Sequence, residues 1–226
     1  RRLGRTDMAT NTSVYRLWQL ISPNLPVGAY SYSQGLEQVI HTAKITDEAT
    51  TMNWISGVLE HGLARTDIPV LLRVYYATRN GDDEGALWWS RQLLAMRETA
   101  ELRLEDLSMG AALLRLLPEL GVPVPAAELP FAAAFAIGAS AWNVDPTDAC
   151  AGYAWSWSEQ QVAAAIKLVP LGHTAGQRLL LALGERIERA VTIASGLDDE
   201  ELGMSLPGLA IASARHETQY TRLFRS

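Results

Sequence analysis

The feature that most restricts the fold of this 226-residue chain is the spacing of its apolar residues, which is helical almost everywhere. Val14, Leu17, Trp18 and Ile21 repeat at three- and four-residue intervals after Ser13, a residue type that caps helices. No run of strand length alternates between apolar and polar residues and is bounded by turns. The sequence therefore predicts an all-α fold, a single compact bundle of roughly eight to ten helices.

Proline, glycine and capping residues divide this pattern into separate helices. The first helix is expected to end before Pro23, and the stretch 22–31 is expected to be a structured loop. The later helices are predicted over 33–42, 46–64, 66–80, 82–117 (one long or two abutting helices ended by Pro118), 126–142, 146–169 and 174–195. An exposed acidic loop is expected at 197–208, and the segment from Leu209 onward is expected to begin as a helix.

The two ends of the chain differ in character from this bundle. Residues 1–7 precede Met8 and lack apolar periodicity, which fits a vector remnant, a disordered upstream extension or, equally, a frayed native terminus. No linker divides the remainder. Residues 8–226 are therefore expected to form a single helical domain with a partner-binding tail at 213–226.

Composition excludes several classes of protein. The formal charge is −6 and no long basic run is present, so nucleic acid is not an expected partner. The single cysteine, Cys150, cannot form a disulfide within the chain, which fits a reducing compartment. The most apolar stretch, 131–142, is about half of the roughly 20 residues that a membrane helix needs. A cytoplasmic protein that does not bind membranes is expected.

Catalytic and metal-binding signatures are missing from the sequence. Neither a GxSxG elbow nor a GxxxxGK[ST] phosphate loop occurs. The four histidines, His41, His61, His173 and His216, are far apart, and no HxH, HExxH or CxxC pattern occurs. The sequence therefore predicts no catalytic residue, no cofactor and no metal site within one chain, although a site shared across a symmetric dimer would escape this test.

Charged and aromatic residues concentrate in four segments that are candidates for partner binding. Tyr30 and Tyr32 flank the end of the first loop, where tyrosines are good interface anchors. Glutamate and arginine then recur at three- and four-residue spacing in the set Arg97, Glu98, Glu101 and Arg103. This spacing fits either a surface face in which Glu101 reaches Arg97 or a polar seam between helices.

The other two segments lie in the second half of the chain. Glu159 and Lys167 are two turns apart on one side of a predicted helix, although a lysine near a helix C-terminus is also favoured by the helix dipole. The final segment is unusually rich in aromatic and charged residues for a terminus, so it is expected to fold onto a partner or onto the body. Its candidate residues are Arg215, His216, Glu217, Tyr220, Arg222, Phe224 and Arg225.

These same segments carry a resemblance to a known family. SPNLPVGAYSYSQGLE at 22–37, RETAELR at 97–103, WSWSEQQVAAAIKLVPLGHTAGQRLL at 155–180 and ASARHETQYTRLFRS at 212–226 resemble, in order and with fitting spacing, segments of the UreF family of urease accessory proteins. The departures are small. His173 stands where glutamine is common, Thr221 where serine is expected and Met96 where a small residue is usual.

The resemblance implies an all-helical, dimeric chaperone without enzymatic activity. UreF-like proteins bind UreH (also called UreD) and the GTPase UreG, and the complex docks on apo-urease to help install nickel and the carbamylated lysine. The resemblance further implies that the protein modulates GTP hydrolysis by UreG. It implies no cofactor, since nickel is handled by the complex rather than by a recognisable site in this chain.

The resemblance also suggests a partner for each candidate segment. Tyr30 and Tyr32 fall in the segment assigned to the dimer contact, the C-terminal residues in the segment assigned to UreH, and Glu159 with Lys167 in the face assigned to UreG. The residues themselves leave two other functions open. One is an independent helical enzyme with an acid–base pair such as Glu98 with Glu159, and the other is a ligand-binding module with an aromatic pocket. An arginine finger from Arg97 or Arg178 is a further alternative.

Overall fold

The computed structural model describes residues 12–226, and in this range the all-α prediction is confirmed. Ten α-helices and three short 3-10 turns occur, without a β-strand in the described range. The helices are α1 (Thr12–Leu20), α2 (Leu36–His41), α3 (Glu48–His61), α4 (Asp67–Arg79), α5 (Asp83–Ala95), α6 (Ala100–Glu119), α7 (Phe131–Ala141), α8 (Pro146–Leu168), α9 (His173–Ser195) and α10 (Pro207–His216). The predicted extension at 1–7 lies outside the described residues.

The centre of the molecule is α7, in which every residue from Phe131 to Ser140 is buried. Most of its side chains are alanine or glycine, so the neighbouring helices approach its backbone closely. It packs mainly on α4 and α6 and also contacts α1 and α8. The larger aromatic residue Phe135 is fully buried and meets the ring of Tyr153 at a centroid distance of 5.5 Å. This helix therefore organises the main hydrophobic core.

A second, smaller core lies where the end of the chain returns to the body. Leu36 and Val39 of α2 pack there with Ala165 of α8, Ala212 of α10 and the tail residue Phe224. Phe224 is only 6% exposed, so the segment after α10 is anchored by an aromatic side chain. The position of the tail is thus fixed by hydrophobic packing as well as by the polar contacts described below.

Local side-chain capping explains the starts of four helices, α3, α5, α6 and α8. Asp47 accepts a hydrogen bond from the Thr50 backbone at the start of α3, and Thr99 accepts one from the Leu102 backbone at the start of α6. Asp145 caps α8, whose first residue is Pro146, as the sequence predicts. These caps use residues three or fewer positions away, which is why they are readable from the sequence.

Several predicted boundaries shift by a few residues. Ser13 lies inside α1 rather than before it, and the predicted helix over 33–42 is shortened to α2. The stretch 82–117 forms two helices separated at 96–99, and Pro118 lies within the last turn of α6. The helix predicted from residue 126 begins at Phe131, because Pro130 precedes it and fixes an extended backbone.

At Gly110, α6 lies very close to the segment that precedes α7. A Cβ atom built there would lie 2.0 Å from the carbonyl oxygen of Leu129, a distance that no relaxed side chain reaches. Gly184 of α9 is the opposite case, because an added Cβ would meet no atom within 4 Å. The two glycines are therefore helical positions with opposite spatial constraints.

We expect Gly110→Ala to destabilise the protein by about 1–3 kcal/mol through overpacking. Gly184→Ala is the matched control and should raise stability by about 0.5–1 kcal/mol, because alanine loses less backbone entropy in a helix. Urea unfolding followed by tryptophan fluorescence measures both values. An unchanged midpoint for Gly110→Ala would show that α6 and the preceding segment are not in close contact.

Candidate functional site

A buried ionic cluster joins the central helices. Arg97, between α5 and α6, places Nη2 2.5 Å from Asp67 of α4 and 2.7 Å from Asp106 of α6. The hydroxyl of Tyr153 in α8 donates to Asp67 over 3.0 Å. Asp106 also accepts the backbone N–H of Phe131 at 2.7 Å, at the first residue of α7. The Arg97 guanidinium therefore contacts α4 and α6 directly, and the two aspartates extend the cluster to α8 and α7.

The two carboxylates of this cluster respond differently to the shared cation. Burial raises the pKa of Asp67, but the charge of Arg97 and its hydrogen bonds outweigh that effect and leave the pKa lowered. Burial also raises the pKa of Asp106, and there the effect outweighs the attraction of Arg97, so the pKa stays above its usual value. One cation therefore faces two buried carboxyl groups. Removing it would leave both without a counter-ion, which is costly.

The segment 97–103 is a polar seam between helices, the second of the two arrangements that its spacing allows. The other arrangement, in which Glu101 pairs with Arg97, does not occur, because Arg97 turns into the core toward Asp67 and Asp106. Glu98 accepts the hydroxyl of Ser205 at 2.5 Å, and Arg103 donates to the carbonyl of Leu94 at 2.8 Å. Every charged residue of the segment is thus held by another part of the same chain.

The tail docks onto the body through buried carboxylates. His216 is fully buried, with Nδ1 2.9 Å from Glu101 of α6 and Nε2 3.2 Å from Glu37 of α2. Glu37 also accepts the backbone N–H groups of Leu223 and Phe224, at 2.7 and 2.9 Å. Of the two alternatives predicted for the tail, docking on the body is therefore present in this structure.

The last residue of the sequence makes a second set of contacts. The Ser226 hydroxyl donates to Glu105 of α6 at 2.6 Å, and its carbonyl accepts both the backbone N–H and the hydroxyl of Ser33. Gln34 donates to the same Glu105 at 2.7 Å and accepts the indole N–H of Trp157 at 2.7 Å. Burial raises the pKa of Glu105 to about 7. The tail, the first loop and α8 thus meet at this carboxyl group.

The predicted tail residues divide into an inner and an outer set. His216 and Phe224 are buried and hold the tail in place. Tyr220 is fully exposed and the neighbouring Leu223 is 64% exposed, an unusual exposure for apolar side chains. The charged residues of the same segment also face solvent: Arg215, Glu217, Arg222 and Arg225. The outer set gives the tail a cationic and aromatic outer face, which we call the tail face.

A groove next to the tail brings together three other predicted residues. Tyr30, Glu159 and Lys167 all line this cavity of about 100 Å³, and Phe224 forms part of its wall. The ammonium group of Lys167 lies 5.6 Å from the centre of the Phe224 ring. Burial raises the pKa of Glu159. Tyr32, by contrast, is only 8% exposed and belongs to the core, so only Tyr30 can serve as an interface anchor.

This geometry gives limited support to the three alternatives, an acid–base enzyme, a ligand-binding module and an arginine finger. Glu98 lines a different cavity, of about 70 Å³, which does not include Glu159. Arg97 is engaged by two aspartates and Arg178 by Glu48, so neither guanidinium is free in this structure. Among residues 12–226, no three His, Cys, Asp or Glu side chains come together as a metal site. In the same range no helix is long and apolar enough to cross a membrane.

Sequence reasoning missed the acidic residues that hold the tail. Glu37 and Glu105 lie in helices whose pattern resembles an ordinary amphipathic surface, and Asp67 has the position of a helix-start residue. A signal was available for Glu105 and Asp106, because two adjacent acids interrupt an apolar stretch of α6. Apart from Arg97, which is 9 residues from Asp106, their hydrogen-bond partners are 25 to 121 residues away in sequence, which no local pattern reveals.

Comparison with known proteins defines the class to which this helical body and tail belong. The family model for UreF matches residues 45–184. A urease accessory protein UreF of Alkalilimnicola ehrlichii is 48% identical over 216 residues, covering 93% of this chain and 95% of the relative. A urease accessory protein UreF 2 of Brucella anthropi is 48% identical, with 93% and 95% covered, and a UreF of Chromohalobacter salexigens is 47% identical, with 93% of each covered. The chain belongs to the UreF family of urease accessory proteins.

The Arg97 cluster allows a direct test of its contribution to stability. We expect Arg97→Met to destabilise the protein by about 3–5 kcal/mol, because methionine keeps the apolar stem but leaves two buried carboxylates without a counter-ion. The matched control is Arg178→Met, whose partner Glu48 is 36% exposed. That change should cost less than about 1 kcal/mol. Equal losses in chemical denaturation would contradict a special role for the buried cluster.

Proposed function

We propose that this protein is a non-catalytic scaffold for urease maturation. It acts in the cytoplasm as a homodimer, binds UreH (UreD) and the GTPase UreG, and presents them to apo-urease. It modulates GTP hydrolysis by UreG while nickel is inserted. The observation that carries the proposal is the similarity to urease accessory proteins UreF along 93% of the chain.

The division of the candidate residues into two surfaces supports a scaffold. One surface is the tail face, and the other is the groove at Tyr30, Glu159 and Lys167. The two are neighbours, since Phe224 anchors the tail and also forms part of the groove wall. A scaffold needs separate adjoining surfaces, whereas an enzyme needs reactive groups converging in one cavity.

The tail face is the surface that we assign to UreH. Its apolar anchors are Tyr220 and Leu223, and its charges are mainly arginine. Aromatic and arginine side chains are enriched among residues that dominate binding energy. Because the backbone of the tail is already fixed by Glu37, binding does not require the tail to lose much further entropy.

The groove is the surface that we assign to UreG and, through Tyr30, to the dimer contact. Tyr30 is 74% exposed at its rim. Lys167 and Glu159 provide one positive and one negative group on the same wall. A partner side chain entering this groove would meet apolar walls with two oriented charges, which gives specificity more than affinity.

Replacing Lys167 tests the UreG assignment. We expect Lys167→Met to weaken recruitment of UreG by about tenfold or more, because a charge in a partly buried contact is worth roughly 1.4 kcal/mol or more. Methionine keeps the apolar stem beside Phe224, so binding of UreH should be unchanged. Pull-down and size-exclusion chromatography of co-expressed UreH and UreG provide the measurement. Lys44→Met is the matched control, because Lys44 is the other lysine of the chain and is exposed.

Unchanged recruitment of UreG by Lys167→Met would remove Lys167 from the proposed contact. Loss of both partners would instead indicate that the tail had been disturbed through Phe224. Equal weakening by Lys44→Met would point to a general effect of charge.

Replacing the exposed apolar residues of the tail tests the UreH assignment. We expect the double change Tyr220→Ser with Leu223→Ser to reduce UreH affinity by about 30-fold or more, since such anchors contribute about 2 kcal/mol or more together. Neither side chain is buried, so thermal stability should hold. Leu181→Ser on α9 is the control, because Leu181 is 82% exposed and distant in sequence. Full UreH binding by the double variant would place the contact elsewhere.

A further inference from the structure

Helix α6 carries an unbroken apolar line on its solvent side. The members of this line are separated alternately by four and three residues, so they follow one side of the helix. They are Ala100, Leu104, Leu107, Ala111, Leu114 and Pro118. Leu104 is 66% exposed, the two end residues are also exposed, and the other three are half-buried. We call this set the α6 stripe.

The packing of α6 inside the chain uses the opposite side of the helix. Met109, Leu113 and Leu117 are buried on that side, where α6 packs on α7. Single exposed apolar residues are ordinary on protein surfaces, but a contiguous exposed line of them marks an interaction site. Alternating four- and three-residue spacing is the spacing by which one helix packs along another element. The α6 stripe therefore has the form of a docking surface.

The α6 stripe begins beside the tail face. Glu101, which lies one turn before Leu104, pairs with Arg222 of the tail at 2.8 Å. The backbone N–H of Glu101 also donates to Glu217 at 3.3 Å. Leu223, the residue after Arg222, is 64% exposed. The tail face and the first turn of α6 thus form adjoining parts of one surface.

The tail face alone is small for a stable contact. Its exposed apolar anchors are Tyr220 and Leu223. A specific protein–protein interface buries about 800 Å² on each partner and involves roughly 20–30 residues a side. Helix α6 has 20 residues and is therefore about 30 Å long. The α6 stripe supplies the apolar area that the tail face lacks.

The charges beside the α6 stripe indicate the chemistry of its partner. Arg103 and Arg115 are exposed on opposite sides of the stripe. Across α6 and residues 213–226, exposed arginines outnumber exposed glutamates by five to two. The arginines are Arg103, Arg115, Arg215, Arg222 and Arg225, and the glutamates are Glu119 and Glu217. The complement of this surface is an apolar ridge bordered by carboxylates.

A second copy of this chain does not provide that complement. An antiparallel pair of α6 helices that sets Leu104 opposite Leu114 also sets Arg103 opposite Arg115, because both pairs have the same register. In a parallel pair each arginine would face its own equivalent. Like charges meet in both arrangements, which disfavours pairing. The occupant is therefore a different protein.

We propose that the α6 stripe is a docking surface continuous with the tail face, and that UreH covers both with an apolar ridge bordered by Asp or Glu side chains. This inference rests on the proposed binding of UreH and adds the surface and the chemistry of that contact. Leu104 and Leu107 provide apolar burial at the centre. Arg103 and Arg115 orient the partner along the helix and raise the rate of association.

Binding of UreH to the full-length protein, measured by surface plasmon resonance, tests the apolar part of this surface. We expect Leu104→Ser with Leu107→Ser to weaken UreH binding by about 30-fold, as loss of two central anchors does. Leu104→Ser alone, at the more exposed position, should weaken it by about fivefold and leave thermal stability unchanged. It decides the result if the double variant does not fold. Leu181→Ser on α9, 82% exposed, is the control and should bind normally.

Arg115 tests the acidic border of the partner. We expect Arg115→Glu to weaken UreH binding by about fivefold at low ionic strength, through a slower association rate, and the difference should shrink at high salt. Arg115→Lys keeps the charge and should retain binding. Arg189→Glu on α9 is the matched control, because Arg189 is also exposed on a helix but lies outside the surface. Equal effects of Arg115→Glu and Arg189→Glu would overturn the charge assignment.

The outcomes separate this inference from the proposed function. Normal UreH affinity in the Leu104 variants, with affinity lost in the Tyr220→Ser and Leu223→Ser variant, would overturn the α6 assignment alone. Altered self-association of the Leu104 variants with normal UreH affinity would also overturn it, in favour of a second copy. Absence of UreH binding by the unchanged protein would refute the proposed function and this inference together.

Discussion

The structure depends on one partly buried cation. Arg97 connects α4 through Asp67 and α6 through Asp106, and Asp106 in turn holds the first N–H of α7 at Phe131. Such a cluster contributes less to net stability than to fixing which elements meet, because desolvation offsets much of the attraction. Tyr153 completes it from α8. The break between α5 and α6 is what allows the Arg97 side chain to turn inward.

Helix α6 connects the Arg97 cluster to the tail. Asp106 points into the core, while Glu101 and Glu105 are four residues apart and face the tail. The position of the tail is therefore set by the same helix that the cation fixes. In the proposed scaffold role, this connection orients the segment before a partner arrives.

Local sequence rules predict the helices well and the site poorly, for one physical reason. Caps such as Asp47 and Asp145 act within three or four residues, so their sequence signatures suffice. Arg97 had Glu101 within one turn, yet it bonds Asp67, which is 30 residues away and more buried. His216 and Glu37 are 179 residues apart. Tertiary packing determines which buried polar groups become hydrogen-bond partners. The spacing of charges along one helix carries no information about that packing.

Packing divides the residues of the tail into an inward set and an outward set. Phe224 faces inward, while Leu223 and Arg225 on either side of it face outward. The sequence resemblance marks all three residues equally, because it extends over the whole of 212–226. The structure separates them: the inward residue anchors the segment, and the outward residues remain available for contact. The residues that hold the tail and those proposed to bind a partner are thus distinct, so each set can be altered without the other.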